Sequence, residues 1–224
     1  MTRPSDYRTT TAAAYDSVAE LYAEMARDEL STVPFERSMI SVFAEFTRSF
    51  QAERKQSGGE AGLVAELGCG PGRVTAHLRD LGLDTFGIDL SPVMIDLATK
   101  TYPDLRFEVG SMDDLDIPDA SLDGAVAWYS IIHAPADELP RFFAEFSRVL
   151  VPGGYLLLGF FEAGDGNPIT PFDHRVTTAY AWPIGELVDL AGEAGFAEVG
   201  RMTREPNDDE RRLRRGHLLM RLTG

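Results

Sequence analysis

Apolar positions recur along the chain with two different rhythms. In "AAAYDSVAELYAEM", Ala14, Val18, Leu21, Tyr22 and Met25 return at three- and four-residue steps, which predicts an amphipathic helix. A second helix is predicted from about Pro34 to Phe50, with Phe35, Met39, Val42, Phe43 and Phe46 on one face. The polar stretch "QAERKQSGGE" then reads as a linker. From Leu63 the rhythm changes. The runs "GLVAEL", "DTFGIDL", "LRFEVGSM", "LDGAVAWYSII" and "GGYLLLGFF" read as strands, and "GRVTAHLRDLG", "SPVMIDLATKTYP" and "DELPRFFAEFSRVL" as helices between them. Ser91 and Pro92 mark one helix start, because a hydroxyl caps the free N–H groups and proline fits the first helical position. Strands alternating with helices indicate a parallel sheet covered on both faces, with right-handed crossovers.

The end of the chain departs from this alternation. "WPIGELVDLAGEAG" predicts a last helix closed by Gly195. The runs "FAEVGRMTRE" and "RRGHLLMRL", separated by "PNDDE", predict a hairpin that brings an antiparallel strand to the sheet. Before that helix, "EAGDGNPITPFDHRVTTAYA" reads as a long irregular connection. In compact domains such connections are commonly functional or disordered.

Where the first strand meets the next helix, "VAELGCGPGRV" places Gly68, Gly70 and Gly72 at alternate positions. In an open α/β sheet, ligands bind outside the carboxyl ends of the strands, where the strand order reverses. Glycines there adopt positive φ and let a ligand approach the backbone. The first N–H groups of the following helix favour a negative or electron-rich group. A dinucleotide-binding turn reads G-x-G-x-x-G, but Arg73 stands where its third glycine belongs, and the pattern here is E-x-G-x-G-x-G.

Composition narrows the classes. The 224 residues suit one large domain, and 44% hydrophobic with 25% charged residues is ordinary for a globular protein. No apolar run approaches the about 20 residues of a membrane span, and "MTRPSDYRTT" lacks the apolar core of a secretory signal, so the expected location is the cytoplasm. The net charge of −15 opposes a nucleic-acid partner, and the one basic cluster, "RRLRR" at Arg211 to Arg215, is read as facing solvent. The single cysteine, Cys69, rules out an internal disulfide and a cysteine-rich zinc site, and is read as a small side chain packed beneath the glycine turn. No metal is expected.

The motifs "LVAELGCGPGRV", "GIDLSPVMIDLA", "VGSMDDLDIPDASLDGAVAWYSIIH" and "VLVPGGYLLLGF", in this order, resemble the class I S-adenosylmethionine-dependent methyltransferases. The resemblance implies an α/β, Rossmann-like, seven-stranded, mostly parallel sheet with an antiparallel last strand and helices on both faces. It implies a single methyltransferase domain over 1–224, with residues 1–56 as an N-terminal helical lid and 57–224 as the cofactor-binding core. The implied cofactor is S-adenosyl-L-methionine, with S-adenosyl-L-homocysteine as product. By position, Gly68, Gly70 and Gly72 pass beneath its methionine portion and ribose, and Glu66 organises the turn. Asp89 accepts from both ribose hydroxyls, a task suited to an acceptor-only carboxylate. Leu90 and Met94 pack on the adenine. Ser111 and Met112 take the adenine-edge position, where the family commonly has an Asp; Asp113 or Asp114 is a candidate to compensate. Trp128 and Tyr129 line the cofactor and begin the substrate pocket. Arg73 either reaches the cofactor carboxylate or lies along its helix in water. Tyr15 and Tyr22 either touch the methionine portion or pack in the lid.

The methyl acceptor is expected to be a small organic metabolite, because a covered pocket suits a small molecule. A base is optional in such chemistry, since positioning and exclusion of water do most of the work. The candidate bases are His133, at the end of the fourth strand, and His174, in the long connection; His77 is on the helix after the glycine turn and His217 on the last strand. Two other functions stay open: a nicotinamide-dependent oxidoreductase, which would want a third glycine at position 73, and a protein that binds the cofactor without turnover, which the glycine turn does not exclude.

Overall fold

The alternating pattern that begins at Leu63 folds as a succession of strands and helices. It is seen in a computed structural model that describes residues 7–26, 29–164, 166–207, 210 and 213–224. Three N-terminal helices come first: α1 (Tyr7–Ala26), α2 (Glu29–Thr32) and α3 (Pro34–Gln56). Then follow β1 (Leu63–Leu67), α4 (Arg73–Asp80), β2 (Thr85–Asp89), α5 (Pro92–Thr101), β3 (Arg106–Val109), β4 (Leu122–Trp128), α6 (Leu139–Val149) and β5 (Leu150–Glu162). The chain ends with β6 (Thr170–Asp173), β7 (Thr178–Trp182), α7 (Ile184–Glu193), β8 (Phe196–Arg204) and β9 (Arg214–Leu222).

The strand order β3-β2-β1-β4-β5 is parallel throughout. β9 then adds antiparallel to β5, and β8 antiparallel to β9, as the hairpin pattern predicts. Side chains alternate between two cores. Ala65, Leu67, Ala125, Leu156 and Leu158 face α6 and α7, while Val64, Val126, Leu157 and Leu219 face α3 and α4. The order reverses between β1 and β4, so the carboxyl end of β1 opens into a crevice.

Four sequence expectations change. The stretch "QAERKQ" is not linker but the last turns of α3; Ala, Glu, Arg, Lys and Gln are good helix formers, and Arg54 there pairs with the buried Asp123. The buried stripe of α3 is Glu36, Ile40, Phe43, Ala44, Thr47 and Phe50, whereas Phe35, Val42 and Phe46 are exposed. Leu21 and Met25 of α1 are likewise exposed, because α1 turns its tyrosines inward instead. The long connection is not irregular throughout: β6 and β7 form a hairpin within it, so among the described residues the sheet has the seven expected strands and two more.

That hairpin has a definite cause. β4 ends at Trp128, because Tyr129 takes φ 53° and the chain turns into a 3-10 turn at Ile131–His133. The edge of β5 is thereby freed, and Phe161 and Glu162 pair in parallel with Ala181 and Trp182 of β7. The carboxylate of Asp173 accepts from the Arg175 N–H at 2.7 Å and closes the hairpin turn.

Candidate functional site

The glycine turn crosses the crevice with all three glycines at positive φ: 78° at Gly68, 50° at Gly70 and 82° at Gly72. The Gly68 and Cys69 N–H groups both donate to the Ile88 carbonyl, at 2.7 and 2.9 Å, which ties the turn to β2. At Gly68 a Cβ would lie 2.3 Å from the Cβ of Ser130, so only glycine passes beneath the end of β4. A Cβ at Gly72 would meet the Phe107 ring at 2.7 Å; Gly72 serves packing against β3 and does not line the cavity. Cys69 is buried and unreactive in character: burial, with the nearby Asp89 and Glu66 carboxyls, pushes its thiol up.

Asp89, at the end of β2, is held from both sides. Its Oδ2 accepts from the Gly70 N–H at 2.7 Å and its Oδ1 from the Ser91 N–H at 2.8 Å. Burial raises its pKa, and these backbone donors oppose the rise. A carboxylate has about four lone-pair sites, so Asp89 can still accept from a ligand in the cavity it lines. Ser91 caps α5 as its sequence predicts, accepting from the Met94 N–H at 3.0 Å. Its hydroxyl also donates to Asp16 of α1, whose carboxylate accepts from the Val93 N–H at 3.4 Å.

The cavity between these elements measures about 630 Å³ out to its open mouth. Its floor is Gly68 and Gly70, and its walls include Asp89, Leu90 and Met94, then Gly110 and Met112, then Trp128, Tyr129, Ser130 and His133. Thr11, Ala12, Tyr15 and Tyr22 of α1 form the roof. Eleven of the residues singled out in the sequence therefore converge on one space: Tyr15, Tyr22, Gly68, Gly70, Asp89, Leu90, Met94, Met112, Trp128, Tyr129 and His133. Asp16, Thr11 and Ser130 escaped the sequence reading. Only the serine preceding the 3-10 turn and an acid at helical spacing from the roof residues could have signalled them.

The other candidates sit outside these walls. Glu66 is buried beneath the turn, where it accepts from the Thr75 hydroxyl of α4, and burial pushes its pKa up to about 8. Arg73 opens α4 and lies close enough to Glu66 to lower that value somewhat. The Ser111 hydroxyl donates to Asp113. Asp113 in turn pairs with Arg8 at 3.2 Å and Arg141 at 3.7 Å, so the carboxylate suggested as a compensating group is spent on two arginines. His174 stands behind His133, its ring 5.2 Å from the His133 ring and also against Phe161 and Phe172. His217 lies deeper, fully buried against Trp128, and burial beside Arg204 and Arg215 drives its pKa down to about 3. Of the basic cluster, Arg211 and Arg212 fall outside the described residues, while Arg215 lies mostly buried over the Phe161 ring rather than in solvent.

His133 has both ring nitrogens engaged. Nδ1 is 2.9 Å from the Thr178 carbonyl of β7, and Nε2 is 2.8 Å from the Tyr15 hydroxyl. A carbonyl only accepts, so Nδ1 carries the proton and Nε2 presents its lone pair to Tyr15. Burial lowers the His133 pKa and keeps the ring neutral.

Residues 64–154 match the family model of a methyltransferase domain. A probable S-adenosylmethionine-dependent methyltransferase of Mycolicibacterium smegmatis is 31% identical over 138 residues, which is 59% of this chain and 51% of that protein. The chain spans about half the length of this curated relative. Among solved structures, the 1,6-didemethyltoxoflavin N1-methyltransferase of Burkholderia thailandensis aligns over 100% of this chain and 94% of its own, with TM-score 0.66 and 23% identity. The magnesium protoporphyrin IX methyltransferase of Synechocystis aligns over 100% of both chains, with TM-score 0.65 and 18% identity. These two show the fold. Among the described residues no helix is long and apolar enough to cross a membrane. Residues 64–154 thus match a methyltransferase domain, and the strand order and the crevice between β1 and β4 agree with the fold of the S-adenosylmethionine-dependent methyltransferases that the chain resembles.

Proposed function

We propose that the protein transfers a methyl group from S-adenosyl-L-methionine to a small organic metabolite. One observation carries the proposal: the Asp89 carboxylate, fixed by two backbone N–H groups, faces the same covered cavity as the open glycine turn. The residues fit the cofactor. Asp89 has acceptor capacity for a ribose diol, and Leu90, Met94 and Met112 offer apolar surface for adenine. The Tyr15 and Tyr22 rings, 5.6 Å apart in the roof, suit a sulfonium by attraction to their π faces. When bound, the cofactor supplies an electrophilic methyl group. The protein's part is to hold the acceptor in line, keep water out with α1, and manage the acceptor's proton.

A small acceptor is supported by the roof. Residues Thr11, Ala12, Tyr15 and Tyr22 of α1 cover the cavity, which suits a small molecule better than a macromolecular surface. The Burkholderia neighbour, by its description, binds 1,6-didemethyltoxoflavin and S-adenosylhomocysteine, so this fold can hold a cofactor and a small acceptor together. Asp89→Ala tests the assignment. Loss of charge-assisted hydrogen bonds to the diol costs about 2–4 kcal/mol, or roughly 30- to 1000-fold in affinity. Calorimetric titration with S-adenosylhomocysteine reads this directly, and equal affinities for variant and wild type would remove Asp89 from the site.

A further inference from the structure

Tyr15 and His133 are joined across the boundary between roof and core. The roof helix contributes a hydroxyl, the 3-10 turn after β4 contributes an imidazole, and β7 fixes that imidazole through the Thr178 carbonyl. Both side chains line the cavity. We infer that Tyr15 and His133 form a proton relay that deprotonates the hydroxyl of a phenol- or enol-type methyl acceptor; this rests on the methyltransferase reading and names its substrate class.

The geometry gives the relay a direction. With Nδ1–H committed to Thr178, only Nε2 can receive a proton, and the hydroxyl aimed at it is Tyr15. The Tyr15 oxygen keeps lone pairs for a donor in the cavity. An acceptor O–H donating to Tyr15 passes its proton to the Tyr15 oxygen as the Tyr15 proton passes to His133 Nε2. The acceptor oxygen forms the new O–C bond, the donor's C–S bond breaks, and its electron pair stays on sulfur. Tyr15 ends neutral and His133 ends as an imidazolium, whose extra proton leaves to water with the product. The cavity thus holds one positive charge before and after the step, first on sulfur and then on the ring, so the buried site is not asked to absorb a net change of charge.

Two further features fit a planar, weakly acidic hydroxyl. Burial and the neighbouring Tyr22 and Asp89 keep Tyr15 protonated, so it acts as a carrier between a phenol-like donor and the imidazole rather than as a base itself. The cavity that His133 lines also has an aromatic wall: Trp128 and Tyr129 both border it, with their rings 5.6 Å apart. Aromatic surfaces of this kind stack flat rings.

The test uses the full chain loaded with sinefungin, a non-transferring cofactor analogue, and para-nitrophenol as the probe. Absorbance reports whether the bound phenol has lost its proton, and nitrogen-15 spectra of the His133 ring report whether Nε2 has gained one. Near pH 6 the wild type is expected to hold at least tenfold more phenolate than Tyr15→Phe or His133→Gln, with a protonated His133 ring. Tyr15→Phe removes one oxygen and keeps the ring, so its sinefungin binding checks that the site is intact. A neutral bound phenol in the wild type, equal phenolate in wild type and both variants, or no binding of the phenol overturns the relay. Failure of the wild type to bind sinefungin at all instead overturns the methyltransferase reading beneath it.

Discussion

Two carboxyl groups flank the glycine turn, one buried and one partly buried, and their surroundings give them different work. Asp89 is surrounded by backbone N–H donors and borders the cavity. Glu66 has a threonine hydroxyl and burial, which moves it from an ordinary 4.5 to about 8. The pH dependence follows from the sign of that shift. Below 4.5 the carboxyl is protonated in folded and unfolded chains alike, and its contribution is fully present. Between 4.5 and about 8 the unfolded chain releases a proton that the folded chain retains, and stability falls. Glu66→Gln is expected to flatten this fall, by about 3–5 kcal/mol between pH 5 and 8. Urea unfolding of the unliganded protein at the two pH values measures it, and parallel profiles for variant and wild type would contradict a protonated Glu66. At this scale the sequence marked Glu66, Asp89 and His133 by position. It could not reveal that Asp113 is taken by arginines or that Thr178 sets the His133 tautomer, because those partners lie on other elements.

α1 shows how an element acquires a role beyond its own pattern. Its periodicity announces a helix, but the apolar residues Leu21 and Met25 remain exposed and the polar and aromatic side chains make the attachments. Arg8 reaches Asp113 after β3, Asp16 reaches the start of α5, and Tyr15 reaches His133. The roof is therefore fastened beyond the ends of β2, β3 and β4 by polar contacts rather than by a greasy stripe, a weaker and more reversible attachment. Asp16→Ala removes the acceptor for Ser91 and Val93, at a cost of about 1–2 kcal/mol in roof docking. Amide hydrogen exchange within Tyr7–Ala26 should then quicken by roughly 5- to 30-fold. Unchanged exchange would mean that Asp16 does not hold the roof. The β6–β7 hairpin makes the same point from the other wall: its threonines and aromatics carry strand propensity, yet Pro168, Pro171 and the nearby glycines broke the pattern. The edge that β4 vacates supplied the missing partner.

Across the whole molecule, the first and last parts of the chain are clamped together. Glu36 of α3 accepts from Arg204 of β8 at 2.8 Å, and Glu210 accepts from the same guanidinium at 2.7 Å. Glu36 is almost fully buried, so Arg204→Met strands its charge and is expected to cost about 3–5 kcal/mol in denaturant unfolding. A loss below about 1 kcal/mol would mean that Glu36 finds other compensation. The sequence alone determined the strand–helix alternation, the glycine turn at the mouth of β1, the acid after β2 and the antiparallel hairpin at the end. All of these depend on spacing within a few residues and on local backbone preference. Tertiary structure alone decided which apolar faces are covered, which carboxylates are occupied by arginines, where the second hairpin pairs, and that a roof tyrosine meets a core histidine. Those outcomes turn on contacts between residues far apart in the chain, such as Tyr15 with His133 and Glu36 with Arg204, whose free energy has no local signature.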